Sequence, residues 1–276
     1  MAPTWQDTLI RGRVSKPPRI CIYGNHGIGK STLAGQFPNP IFISTEDGLD
    51  PLDVVSFPKA TKFADVESNI RNLIRDEHDF RTVVLDTADW LVEPLITKHI
   101  EGQYDAKELS YGKGAMMIAE EFRDILQGLD VLRLRRYMNV VVIAHAEIRR
   151  FENPLTEPYD QYKPKLPTRC NALLQEWLDV LAFATFRVII KKTDVGFSNK
   201  VTRGSSTGDR QLHLIENAAY LAKNRYPGGP ETIDMKYEEL AKVVPIFNGR
   251  PEQKEVEQPE VVATLGDQKE RADATV

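Results

Sequence analysis

Gly24-Asn25-His26-Gly27-Ile28-Gly29-Lys30-Ser31 is the stretch on which the fold turns. The spacing Gly-x4-Gly-Lys-Ser makes physical sense as a phosphate cradle. Gly24, Gly27 and Gly29 let backbone N–H groups converge on phosphate oxygens, and the N-terminus of the following helix adds a favourable dipole. Lys30 then reaches the terminal phosphates and Ser31 ligates Mg²⁺, with Thr32 closing the set. The setting fits: Arg19-Ile20-Cys21-Ile22-Tyr23 reads as a buried strand ending at Gly24, and Lys30 to Phe37 as a helix stopped by Pro38 and Pro40.

Outward from the loop, strand-like and helix-like segments alternate past residue 190, the pattern of an α/β fold with a mostly parallel sheet and helices on both faces. Ile41-Phe42-Ile43 is a second strand, Asp65 to Glu77 a helix with Val66, Ile70, Leu73 and Ile74 on one face, and Thr82-Val83-Val84-Leu85 a third strand. Ile118, Phe122, Ile125, Leu126, Leu129 and Leu132 form the apolar stripe of a long helix between about 115 and 136. Asn139 to Ala144 returns as a strand with a β-branched centre. A polar loop is expected at 147–169, a helix at 171–180, a strand near 186–191, a C-terminal β-hairpin region around 196–208 and a strand near 212–216.

Asp86, at the end of the third strand, is the natural Walker-B carboxylate, expected beside the phosphate-loop strand to support Mg²⁺ with Ser31. Asp89 reads as a helix cap. Hydrolysis needs a group that orients water; Glu46, just after the second strand, is the candidate, with Asp47 the competing choice and an ordinary turn carboxylate the plain one.

The chain has 276 residues, 41% hydrophobic and 28% charged, enough for one substantial core. Its two cysteines, Cys21 and Cys170, form no CxxC pair and indicate neither a disulfide framework nor a zinc site. No signal-peptide layout and no bilayer-length apolar run is seen, so a cytoplasmic protein with no membrane association is expected. The net charge of −4 sits in residues 251–276, where seven acids face three cations, leaving 1–250 neutral. Three regions follow: an extension at 1–18 that could serve oligomerisation, an ATPase core at 19–250, and an acidic tail at 251–276 expected to be disordered or to fold on a partner.

The order of these features resembles the RecA-type recombinase core. The stretch Ser44-Thr45-Glu46-Asp47-Gly48 looks like the turn that carries that family's catalytic glutamate, which favours Glu46. The family then places a first DNA-binding loop, a long helix, a strand ending in a polar sensor, and a second DNA-binding loop. Here these fall at about 101–114, 115–136, 139–145 and 147–169. His145 stands where the family has a γ-phosphate-sensing glutamine, a departure that would make the switch pH-sensitive; a strand-end histidine bonded to backbone is the plain reading. Lys223-Asn224-Arg225 is similar to the family's Lys-x-Lys element, whose cations reach a neighbouring subunit's ATP; a basic surface turn is its plain reading. With the Tyr111-Gly112-Lys113-Gly114 segment, the chain looks like the pared-down phage version, the Sak-type single-strand annealing ATPases close to nucleotide-binding proteins of the AAA_24 type.

The resemblance implies ATP and Mg²⁺ as cofactors, single-stranded DNA as partner, a homo-oligomer (ring or filament) with ATP between subunits, and a phage protein acting in recombination in the host cytoplasm. Lys107, Lys113, Arg149, Arg150, Lys163, Lys165 and Arg169 are the DNA-binding candidates; the second loop carries only +1 net, whereas 187–210 carries +4. A single-strand-binding protein is the partner imagined for the acidic tail. A helicase or AAA+ motor and a small-molecule kinase are the rival functions.

Overall fold

The computed structural model describes Leu9, Gly12 and residues 15–154, 157–195 and 199–249, without the side chains of 188–207. The extension at 1–18 falls mostly, and the acidic tail wholly, outside the described residues. In chain order the elements are β1 (Arg19–Gly24), α1 (Lys30–Ala34), β2 (Pro40–Ser44), β3 (Val55–Ser56), α2 (Phe63–Arg75), β4 (Thr82–Asp86), α3 (Ala88–Trp90), a π-helical segment (Leu91–Ile96), α4 (Thr97–Glu101), α5 (Lys113–Arg135), β5 (Asn139–Phe151), β6 (Tyr159–Pro164), α6 (Thr168–Trp177), β7 (Val180–Val195), β8 (Asn199–His213), β9 (Lys223–Asn224), β10 (Thr232–Asp234) and α7 (Tyr237–Val243).

The strands join in one sheet of order β10-β8-β7-β1-β5-β4-β2-β3. Pairings from β7 through β3 are parallel, while β8 and β10 add an antiparallel edge. Strand alternation sends side chains to two apolar layers. Cys21, Tyr23, Val83, Leu85, Val140 and Val142 pack beneath α2, α5 and α6 with Phe122, Leu129 and Leu174. Ile20, Ile22, Val84, Val141 and Ile143 pack on the other face with Leu33 of α1 and Leu240 of α7. Helices on both faces of a mostly parallel sheet are the α/β architecture expected from the sequence.

Three expectations change. Asp86 does not lie beside the phosphate-loop strand: β5 is interposed, paired with β1 on one side and β4 on the other. The stretch at 147–169 is not a loop throughout, because β5 runs on to Phe151 and folds back as β6 in antiparallel register. The helix expected to reach residue 180 ends at Trp177, and the buried run Val180-Leu181-Ala182-Phe183-Ala184 is strand. An apolar run of that length fits a buried helix or strand equally by pattern; pairing with β1 decides it.

Tyr23, fully buried, ties the first of these layers to the segments beside it. Its hydroxyl lies 2.6 Å from the Leu221 carbonyl and 3.1 Å from that of Tyr162, so one O–H serves the segment before β9 and β6. Replacing Tyr23 with Phe removes this donor from the Leu221 carbonyl at constant shape, while the Tyr162 carbonyl keeps the Leu221 N–H at 3.0 Å, and should cost about 1 kcal/mol, read as a lower urea midpoint with an unchanged slope.

Candidate functional site

The parallel register aligns strand ends at one edge of the sheet: Gly24 pairs with His145 and with Ala184, Asp86 with Ile143, and Ser44 with Asp86. Carboxyl ends of parallel strands are where α/β sheets bind ligands. Residues predicted from distant parts of the sequence therefore meet here. Gly24 must be glycine because a Cβ would sit 2.4 Å from the Ala184 carbonyl oxygen. Gly29, the N-cap of α1, has φ 95°, a conformation that side chains resist.

Lys30 is buried, its ammonium donating to the carbonyls of Gly24 and Asn25 at 3.0 Å each. Burial pushes its pKa below the ordinary lysine value, against the pull of Asp86, Asp89 and Glu46. Ser31 Oγ donates to Asp86 Oδ2 at 2.7 Å, bringing two hard oxygen ligands together below the loop. Burial also raises the Asp86 pKa, more than the Ser31 hydrogen bond and Lys30 lower it.

The turn after β2 is fixed from β4. Thr45 N–H donates to the Asp86 carbonyl at 2.7 Å, and Thr45 Oγ1 donates to the Thr87 carbonyl at 2.8 Å while accepting from Thr87 N–H at 2.9 Å. Glu46 emerges from this clamp, partly exposed, with Oε1 3.7 Å from Nε2 of His145. Burial raises the Glu46 pKa, with His145 opposing and Asp86 adding to the rise. Asp47 points elsewhere, paired with Lys59 at 2.6 Å in solvent. Of the two acids in the turn, Glu46 is thus the one brought to the loop.

His145 is buried within the interposed strand, at its last pairing with β1. Asp89, which the sequence suggested as a helix cap, instead accepts from the His145 backbone N–H at 3.0 Å and sits 2.8 Å from its Nδ1. Burial works against the Asp89 charge, but these hydrogen bonds hold its pKa below the usual carboxylate range. An ionised Asp89 assigns the ring proton to Nδ1, leaving Nε2 as the atom facing Glu46. His26 stacks on His145 with ring centroids 3.7 Å apart. Burial, then His145 and Lys30, lower the His26 pKa. Neither role has a sequence signal: His26 occupies a variable position of the loop motif and Asp89 a helix start.

The remaining candidates lie elsewhere. Lys223 donates to the carbonyls of Gln175 and Leu178 at 2.7 and 2.8 Å, and Arg225 to that of Glu176 at 2.8 Å, with Asp179 at 3.4 Å. Within one chain both cations cap α6. Arg149 is held by Glu147 at 2.7 Å and by the Leu166 carbonyl at 2.8 Å, and Arg150 lies 3.5 Å from Glu152. Lys163 Nζ lies 4.6 Å from the centre of the Phe151 ring. Lys107, Lys113, Lys165 and Arg169 are exposed. No helix among the described residues is long and apolar enough to cross a membrane.

Because its folded pKa is raised, Asp86 opposes stability while ionised; its proton-linked contribution is present at low pH and lost as pH rises from the ordinary carboxylate value of about 4 through the raised one. Asp86→Asn should therefore melt no lower than wild type at pH 7 without nucleotide. Its advantage should shrink as pH falls toward about 4, a trend that thermal melts across pH would detect.

The AAA_24 family model, described as an AAA domain, matches residues 16–226. The chain is also similar to the SPbeta prophage-derived uncharacterized protein YorG of Bacillus subtilis (strain 168), with 23% identity over 132 residues. That match covers 46% of this chain and 40% of the relative, less than half of either. Among solved structures, the crystal structure of the RadB recombinase matches with a TM-score of 0.42 and 17% identity, covering 75% of this chain and 84% of that one. From the phosphate loop to the segment containing Lys223 and Arg225, the chain belongs to the AAA_24 family.

Proposed function

We propose that this protein binds single-stranded DNA under the control of ATP and serves phage DNA recombination, by annealing or strand exchange. The observation carrying the ATPase half is the meeting of Lys30, Ser31 and Asp86 with Glu46, Asp89 and His145 at one sheet edge. Ser31 and Asp86 suit Mg²⁺, which when bound supplies charge neutralisation at the phosphates. Glu46 orients the attacking water and draws its proton toward the carboxylate. His145, fixed by Asp89, reports the state of the phosphate end.

The DNA half is supported by continuity. β5 carries His145 and runs directly into the β5–β6 hairpin, and Lys165 N–H donates to the His145 carbonyl at 2.8 Å. A displacement of His145 is thereby passed to both hairpin strands. One face of the hairpin carries Arg149 and Lys163 with Phe151 and Tyr159, whose rings are 5.5 Å apart, and Arg150 lies on the opposite face. Cations beside aromatic faces are what single strands need. Tyr111, at φ 54° and wholly exposed ahead of α5, offers a second base-stacking face beside Lys107 and Lys113. The prophage origin of the YorG relative favours the phage setting.

Lys223 and Arg225 would act in trans on a neighbour's ATP by leaving the carbonyls of α6, so that assembly in a ring or filament exchanges those hydrogen bonds for phosphate contacts. The acidic tail would recruit a single-strand-binding protein.

Glu46→Gln should keep ATP binding and lose turnover by about a hundredfold or more. Wild-type turnover should rise with single-stranded DNA, and filter binding should show DNA retained more strongly with ATP than without it. Absence of both DNA effects would remove the recombination reading. Alanine at Phe151 and Tyr111 together should weaken DNA binding by about tenfold or more while DNA-free ATP turnover stays at the wild-type rate, since neither ring touches the nucleotide loop.

A further inference from the structure

The basic segment 187–210 of the C-terminal hairpin invites a single reading as a DNA-facing or solvated surface, yet one of its cations lies against the phosphate loop. A Cβ placed on Gly29 would come within 2.5 Å of Nη1 of Arg210, so the guanidinium rests over the glycine that precedes Lys30. Arg210 stands on β8, opposite Phe186 at the register shift of the β7–β8 pair, with its guanidinium 6.0 Å from the Phe186 ring centre. On the other side its carbonyl accepts from Met235 N–H at 2.9 Å. The backbone is thus fixed by the sheet, while the side chain, on an exposed residue, reaches across β7 to the loop.

We propose that Arg210 is a phosphate-contacting residue of the nucleotide site, acting within its own chain; the proposal rests on the ATPase reading above. Charge favours it. The three carboxylates of Asp86, Asp89 and Glu46 surround one buried ammonium, Lys30, and a polyphosphate brings further negative charge into that setting. A guanidinium offers planar, paired N–H donors to phosphate oxygens without the cost of burying a second cation before ligand arrives. Its place also differs from that of Lys223 and Arg225, which are bonded to the end of α6. Gly29 then has two reasons to be glycine: its backbone conformation and the space occupied by Arg210.

The test is a titration of full-length protein with a fluorescent ATP analogue, competed by ATP and by inorganic tripolyphosphate. Arg210→Ala should weaken both competitors by about tenfold or more, and Arg210→Lys should recover part of the loss. Arg187→Ala removes the same charge from the same hairpin, where Arg187 pairs with Asp234 at 3.1 Å, and should leave both affinities unchanged. Equal affinities in wild type and Arg210→Ala would overturn the proposal. So would a loss confined to ATP, which would assign Arg210 to the nucleoside, or an equal loss in Arg187→Ala, which would reduce the effect to bulk charge. Lys30→Ala separates the two levels: if it too binds normally, the nucleotide-site reading fails, whereas if it alone loses binding, only Arg210 is misassigned. Should nucleotide-free Arg210→Ala melt below wild type, Arg210→Gln, which keeps the stem over Phe186, gives the deciding affinities.

Discussion

Gly24 stands in parallel register with His145 on one side and Ala184 on the other, and the geometry of the site depends on that pairing. The backbone approaches so closely at Ala184 that no side chain fits at position 24. Once β1 is seated between β5 and β7, the phosphate loop can leave the sheet only at the edge where β4 delivers Asp86 and β2 delivers Glu46. Hydrogen bonds between the ends of β2 and β4 then hold Glu46 and Asp86 in one frame, through Thr45 and Thr87.

The same arrangement concentrates charge where water is scarce. Asp86 and Lys30 are both buried, and burial moves each toward its neutral form. Asp89 escapes this by accepting two hydrogen bonds from His145. Its neighbours are compensated less completely, as expected of groups whose full set of partners includes a ligand. An ionised Asp86 therefore opposes stability, while Asp89 fixes the His145 ring.

The interposed β5 gives His145 its significance. A strand between the phosphate loop and Asp86 places one side chain within reach of Glu46, Asp89 and His26 together. Because this strand continues as a hairpin with aromatic and cationic side chains, a change at the site has a short covalent path to that hairpin. The β7–β8 hairpin offers a second link, from Arg210 over the loop to the basic segment beyond it.

Local pattern was enough for the phosphate loop, whose glycines, lysine and serine act within eight consecutive residues, and for the long helix, whose apolar stripe is buried nearly as spaced, Ala119 taking a deeper place than Ile118. It also located Glu46 and Asp86 at strand ends and His145 where the apolar run of β5 stops, since apolar runs stop where the chain meets polar surroundings. Pattern could not give strand order, because adjacency in a sheet is set by packing between distant segments; hence β5 between β1 and β4 came only from the fold. The same holds for the continuation of β5 into β6, where polar residues mask a two-stranded ribbon, and for Val180–Ala184, whose apolar run fits helix or strand until β1 pairs with it. Asp89 on His145, His26 stacked above it and Arg210 against Gly29 are contacts across 56, 119 and 181 positions of sequence. No spacing rule spans such separations, so the chemistry of the loop was legible in the sequence while the company it keeps was decided by tertiary structure.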